Sequence, residues 1–180
     1  MPSTLAVDAC CLLNLLATSR EVEIVTALGV VLVTTAHARS EVQYLGGPSD
    51  DEGRPTRIPT STSSLERDGQ LVVTALDAAA TEVFVQAAEQ LRDADASVVA
   101  LAASQNLPLA SDDRRLRKVV QSTFPTIELH GTLGIVRTAA ARAGWDDETL
   151  RAVARHLRTR GHFQAPKGDP DHAWFAALLR

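Results

Sequence analysis

The stretch Leu5-Ala6-Val7-Asp8-Ala9-Cys10-Cys11-Leu12-Leu13-Asn14-Leu15-Leu16 decides the fold. A short apolar run ends at an acid, and Leu12, Leu13, Leu15 and Leu16 then recur at helical spacing. The reading is buried strand, acid, helix. Working outward, the pattern repeats. Residues 21–28 read as a short helix closed by Gly29, and residues 30–34 as a β-branched buried strand. Residues 36–45 read as a helix carrying Glu41. Beyond residue 69 a strand is expected at 70–75, a helix at 77–91, and another at 93–106 led by Asp93 and Asp95. A short strand at 107–110 runs into Ser111-Asp112-Asp113, followed by helix 114–120, strand 127–129 and helix 131–143. Strands alternating with helices imply a parallel sheet. Acids stand repeatedly at the carboxyl ends of these strands, where such sheets build their sites.

The expected fold is α/β, a three-layer α/β/α sandwich with a central parallel sheet of four or five strands. Residues 1–143 form the main domain. Residues 144–180 form a small helical C-terminal extension packed on it. Residues 46–69, GGPSDDEGRPTRIPTSTSSLERDG, are rich in Gly, Pro, Ser, Thr and charge. They read as a flexible loop insertion, with a partly ordered hairpin as the other reading.

Composition bounds the function. The 180 residues are 45% hydrophobic and 22% charged, ordinary for a globular chain that buries its own core. Aromatics make up only 4%, which argues against extended stacking platforms for single-stranded nucleic acid. The two cysteines are adjacent, so no disulfide framework or paired zinc spacing is present, and a reducing, cytoplasmic setting is expected. No apolar run is long enough for a membrane span, and the first residues show no secretory pattern. The net charge of −4 argues at first against nucleic acid, but it hides a split. Up to Asp113 there are 6 basic and 16 acidic residues; from Arg114 onward there are 12 basic and 6 acidic. Arg114, Arg115, Arg117 and Lys118 follow directly on the last acids and are expected to meet phosphates where the fold brings them beside the acidic pocket.

Asp8, Glu41, Asp95, Asp112 and Asp113 are the candidate catalytic and metal-ligating residues. Clustered carboxylates do not all stay ionised without compensation, and a hard divalent cation, Mg²⁺ or Mn²⁺, compensates them with oxygen ligands. Such ions activate water for phosphodiester hydrolysis. Each acid also has a plainer explanation. Asp8, Asp95, Asp112 and Asp113 stand where helix N-caps belong, and Glu41 suits a solvated helix face. Ser111, Cys10 and Asn14 are the supporting residues; Ser111 either positions a ligand or bonds a helix N-terminus. The five histidines are scattered without metal-ligand spacing, and no phosphate-cradling glycine loop or G-x-S-x-G nucleophile is present. A receiver domain would want its acid pair after the first strand, and a Toprim-like site would want Asp93 and Asp95 after a strand rather than after EVFVQAAEQLR.

Taken in order, these motifs resemble the PIN domain family, the ribonuclease fold used by VapC-type toxins. VDACCLLNLL resembles the family's opening, with Asp8 as the first acid. Glu41 in ARSEVQYL matches the second, Asp95 in DASVVALAASQNLPLASDD the third, and Ser111-Asp112-Asp113 the fourth. HGTLGIV at 130–136 resembles a stretch common in one branch. Cys10 stands where Ser, Thr or Asn is usual, and the choice between Asp112 and Asp113 stays open. The resemblance covers residues 4–143 and implies a metal-dependent endoribonuclease, the toxin of a toxin–antitoxin pair. It implies RNA as substrate, an antitoxin-like protein partner and a homodimer, with no membrane. The alternative is a catalytically silent PIN-like module that works by protein–protein binding.

The last segments fit either picture. In residues 146–160 Leu150, Val153, Ala154 and Leu157 share one face, with acids at the start and Arg155, Arg158 and Arg160 at the end, as the helix dipole favours. Residues 171–179 read as a short apolar helix that docks on the domain, pairs in a dimer or meets a partner.

Overall fold

The computed structural model describes residues 3–180. Strand β1 (Ser3–Val7) is followed by helices α1 (Ala9–Ala17) and α2 (Glu21–Leu28), then β2 (Val30–Thr35) and the five-residue α3 (Ala36–Ser40). A hairpin of β3 (Tyr44–Ser49) and β4 (Pro55–Pro59) leads through α4 (Ser63–Arg67) to β5 (Leu71–Thr74). Helices α5 (Ala78–Ala88) and α6 (Asp93–Ser104) precede β6 (Leu109–Ala110), α7 (Arg114–Thr123), β7 (Leu129–His130) and α8 (Thr132–Ala143). Helices α9 (Asp147–Thr159) and α10 (His172–Leu178) close the chain.

Five strands form one all-parallel sheet in the order β5-β2-β1-β6-β7. The expected α/β architecture is therefore observed, with five strands. Parallel strands need covering on both faces, and they read as continuous apolar runs for that reason. Val7, Leu32, Leu71 and Leu109 are fully buried here, against Leu12, Leu15, Val98, Leu101, Leu116 and Leu133 from the helices. The C-terminal segment shares this core through Val153 and Leu157 of α9, Phe163 of the connection and Phe175 of α10, the two phenylalanines meeting edge-to-face at 5.6 Å.

The chain order places the site. From β1 it steps outward to β2 and β5, then crosses back to β6 and β7. The carboxyl ends of β1 and β6 thus flank the point where the winding reverses, and connections leaving in opposite directions open a crevice there. The register continues past the strand ends. Val7 pairs with Ala110 and Ala110 with His130, so Asp8 falls beside Ser111, and Asp112 beside Thr132.

Two expected elements differ. The helix expected at 36–45 ends at Ser40, and Glu41 sits at its C-cap rather than along a helix. Tyr44, Leu45 and Gly46 belong to β3 instead, because Gly46-Gly47 costs a helix about 1 kcal/mol per glycine while the strand finds a partner in 55–59. Residues 46–69 take the hairpin reading. Asp50 closes its turn by accepting from the backbone N–H groups of Glu52 and Arg54, at 3.0 and 2.8 Å.

Candidate metal centre

Asp8 is fully buried and caps α1, its Oδ1 accepting from Cys11 N at 2.6 Å. Its Oδ2 accepts from the Ser111 hydroxyl. Burial raises its carboxyl from 3.8 to about 7, against the pull of those two hydrogen bonds, and the charges of Asp112 and Asp95 push the same way. The capping explanation for Asp8 is thus correct and incomplete, since a cap needs no buried acid beside other acids.

Asp112 is the most heavily held carboxylate. Its Oδ1 accepts from Thr132 N at 3.0 Å, and its Oδ2 accepts from Asn14 Nδ2 at 3.1 Å and from the Thr132 hydroxyl. Asn14 also donates to Thr132 Oγ1 at 3.3 Å, so α1, α8 and the β6 end meet in one buried polar knot. Asp113 points elsewhere. Its Oδ1 caps α7 by accepting from Leu116 N at 2.7 Å, and its charge acts on Asp95. The pair therefore divides the work: Asp112 is bonded to α1 and α8 and its charge acts on Asp8, while Asp113 caps α7 and its charge acts on Asp95.

Asp95 lies half-buried in the first turn of α6, whose N-cap is Arg92, so it does not serve as the cap. Burial raises its carboxyl, and the charges of Asp113 and Glu41 add to the rise. A hydrogen bond between Thr35 Oγ1 and Ser97 Oγ, 2.6 Å, ties α6 to the start of α3 and so brings Asp95 toward Glu41, which is exposed. Ser111 donates to Asp8 and accepts, at 3.2 Å, from the backbone N of Asp113, the residue that caps α7. Cys10 is exposed at the rim; desolvation and the surrounding carboxylates push its thiol up to about 12. Cys11 is buried, 3.3 Å from Thr132 Oγ1.

The basic residues behave unequally. Arg114, Arg115 and Lys118 are exposed on α7. Arg117 donates to the carbonyls of Ser111 and His130, at 2.8 and 3.0 Å, and clamps the two strand ends together. A cleft of about 300 Å³ gathers Arg114 and Lys118 with Asp112 and Asp169. Sequence reasoning missed Asp169 and Thr132. A Cβ on Gly131 would lie 3.2 Å from Asp112 Oδ1 and 3.3 Å from Asp169 Oδ2, so the glycine lets the 166–171 segment cross the start of α8 and set a further carboxylate beside Asp112. The signal was present in Gly131-Thr132-Leu133-Gly134, a motif whose threonine reaches the site.

The donor chemistry fits a hard divalent cation: all-oxygen ligands, two of them with raised carboxyls whose charged form a cation would favour. Among the described residues, no three His, Cys, Asp or Glu side chains converge closely enough to hold an ion as they stand.

A parallel sheet with carboxylates gathered at its switch point defines an α/β fold of the nuclease-like kind. The chain belongs to the PIN domain family: the family model DUF3368, described as a PIN domain, matches residues 4–167. The match extends past residue 143 through α9. No curated protein and no solved structure matches. PIN domains are generally nucleases and typically use divalent metals. Among the described residues, no helix is long and apolar enough to cross a membrane.

Proposed function

We propose that the protein is a Mg²⁺- or Mn²⁺-dependent endoribonuclease. The observation that carries this reading is the gathering of Asp8, Asp95, Asp112 and Asp113 at the sheet's switch point, near enough that the charges of Asp112 and Asp95 raise the Asp8 carboxyl and that of Asp113 raises the Asp95 carboxyl. Asp8, Glu41, Asp95 and Asp113 would hold the cation, with Asp112 behind them. A bound divalent ion supplies positive charge to the phosphate and a water of lowered pKa. The protein's own part is orientation. Ser111 and Cys11 N fix Asp8, and Asn14 and Thr132 fix Asp112, so both acids are held in place without rotamer freedom. Arg114, Arg115 and Lys118 supply phosphate contacts along the strand. The toxin of a toxin–antitoxin pair, dimeric and checked by a protein partner, is the setting this reading favours.

Cleavage of a labelled RNA in Mn²⁺ tests it. Wild type should cleave, EDTA should stop it, and Asp95→Asn should lose at least a hundredfold while keeping its fold. Equal cleavage by wild type and Asp95→Asn would leave the silent binding module as the better reading.

A further inference from the structure

We propose that the open cleft beside Glu41 is a nucleotide subsite, in which Tyr44 stacks on one base of an RNA strand while Arg57 and His162 hold the adjoining phosphate. Taking RNA as the occupant rests on the nuclease reading. The cleft measures about 510 Å³ and is lined by Glu41, Tyr44, Gly46, Arg57 and His162 among others. Glu41 is the one member of the carboxylate set that lines it, and the charge of Glu41 also acts on Asp95.

The hairpin register builds its wall. Tyr44 pairs with Pro59 and Gly46 with Arg57, so Tyr44, Gly46 and Arg57 share one face of the two strands. Leu45 points the other way and is buried. Tyr44 is 48% exposed, and among the described residues it is the one exposed aromatic. Arg57 is exposed and enters no ion pair among the described residues. Composition argued against extended stacking platforms; one ring for one base is what remains.

His162 completes the cleft from the far side of the chain. Its backbone is left-handed, φ +50°, an uncommon state for a residue with a Cβ. Its ring lies over Gly46: a Cβ there would come within 2.5 Å of His162 Nε2 and 2.7 Å of the Thr159 carbonyl. Only glycine admits this approach. Gly46 N donates to the Arg160 carbonyl at 2.6 Å, which fixes the hairpin against the turn after α9. The cleft is therefore a defined junction between two separate parts of the chain. An aromatic face, a guanidinium and an imidazole within one open cleft match the base and phosphate of a single-stranded nucleotide. A protein partner would call for an apolar lining, and the one aliphatic residue among those lining the cleft, Leu45, is buried.

The test uses the full chain in EDTA, so that binding is read without cleavage. The probe is a fluorescein-labelled oligouridylate of about eight nucleotides followed by anisotropy. Tyr44→Ala should weaken binding about tenfold, while Tyr44→Phe stays within about twofold of wild type. Arg57→Gln should lower the slope of log K against log salt by about 0.7. A duplex RNA of the same length should be indifferent to Tyr44→Ala, because its bases are already stacked. If Tyr44→Ala melts well below wild type, Arg57→Gln and Tyr44→Phe carry the decision. Absence of oligouridylate binding by wild type, or wild-type binding by both Tyr44→Ala and Arg57→Gln, overturns the subsite. The two readings fail separately. Equal Mn²⁺-dependent cleavage by wild type and Asp95→Asn, with Tyr44→Ala weakened in binding, keeps the subsite and removes the nuclease. An inert Asp95→Asn beside a Tyr44→Ala that binds normally keeps the nuclease and removes the subsite.

Discussion

The two halves of the carboxylate cluster are held in opposite ways. In the inner half, Asp8 and Asp112 use both oxygens to accept hydrogen bonds from the protein itself: Cys11 N and Ser111 for one, Asn14 and Thr132 for the other. In the outer half, Asp95 and Glu41 accept no side-chain hydrogen bond among the described residues, and Asp113 commits only Oδ1. Yet the inner Asp8, despite its two donors, carries a carboxyl raised to about 7, because burial outweighs both bonds. The contrast teaches that internal hydrogen bonds set position here rather than charge. The inner half is a rigid floor that the fold builds at a cost in stability, and the outer half supplies oxygens free for something from outside. Mutations should therefore separate the halves, with the inner half moving stability as well as activity and the outer half moving activity almost alone.

The largest expected effect is at Asp8. In metal-free protein its folded carboxyl titrates near 7 against 3.8 when unfolded. Below the unfolded value the two states bind the proton equally. As pH rises toward 7 the unfolded chain gives the proton up first, so this group's contribution to stability is lost across that window and stays lost above it. Asp8→Asn keeps an oxygen for the cap and an amide for Ser111 without the charge. It should raise stability on the order of 2–4 kcal/mol near pH 8 and leave it almost unchanged near pH 4. Urea unfolding at the two pH values reads the difference. A variant destabilised equally at both would mean that the hydrogen bonds, not burial, dominate at Asp8.

A smaller effect of opposite sign is expected at Thr132. Thr132→Val keeps the shape but removes the hydroxyl that donates to Asp112 and accepts from Asn14, leaving a half-satisfied buried amide. The expected loss is about 2 kcal/mol by thermal or urea unfolding. A loss below about 0.5 kcal/mol would place Thr132 among ordinary surface substitutions and break the picture of a rigid floor.

The inner half is also the part most legible in the sequence. Asp8 follows an apolar strand and precedes an apolar helix, and Ser111-Asp112-Asp113 repeats the arrangement, so the parallel sheet and the meeting of these acids both follow from local pattern. Glu41 lies in the stretch 36–45 that reads as a helix, which also holds Ala38, Val42 and Leu45. All three are buried, but Leu45 is buried as a strand residue, and the pairing with Ile58 that makes it one is invisible to periodicity. Asp169 was not legible at all. It shares a cleft with Asp112 because the 166–171 segment crosses back over Gly131, a tertiary contact with no local signature beyond the glycine. Arg117, grouped in the sequence with its basic neighbours, belongs by its contacts to the strand ends.

The smallest effect on stability is expected at Glu41, and it sharpens the comparison most. Glu41 is exposed at the C-cap of α3, and its side chain bonds nothing among the described residues, so removing its charge takes away no packing and no hydrogen bond. The charge raises the Asp95 carboxyl, and losing it should relieve that repulsion slightly. Glu41→Gln should therefore change unfolding free energy by less than about 0.5 kcal/mol, in the stabilising direction if at all. Activity should move far more. An outer carboxylate contributes a ligand oxygen with full charge, and an amide oxygen is a poor substitute toward a hard cation. Mn²⁺-dependent RNA cleavage should fall at least tenfold, and the Mn²⁺ concentration giving half-maximal rate should rise. A loss of activity that tracked a loss of stability would merge the two halves into one structural unit. Unchanged cleavage would confine the site to Asp8, Asp95 and the Asp112–Asp113 pair.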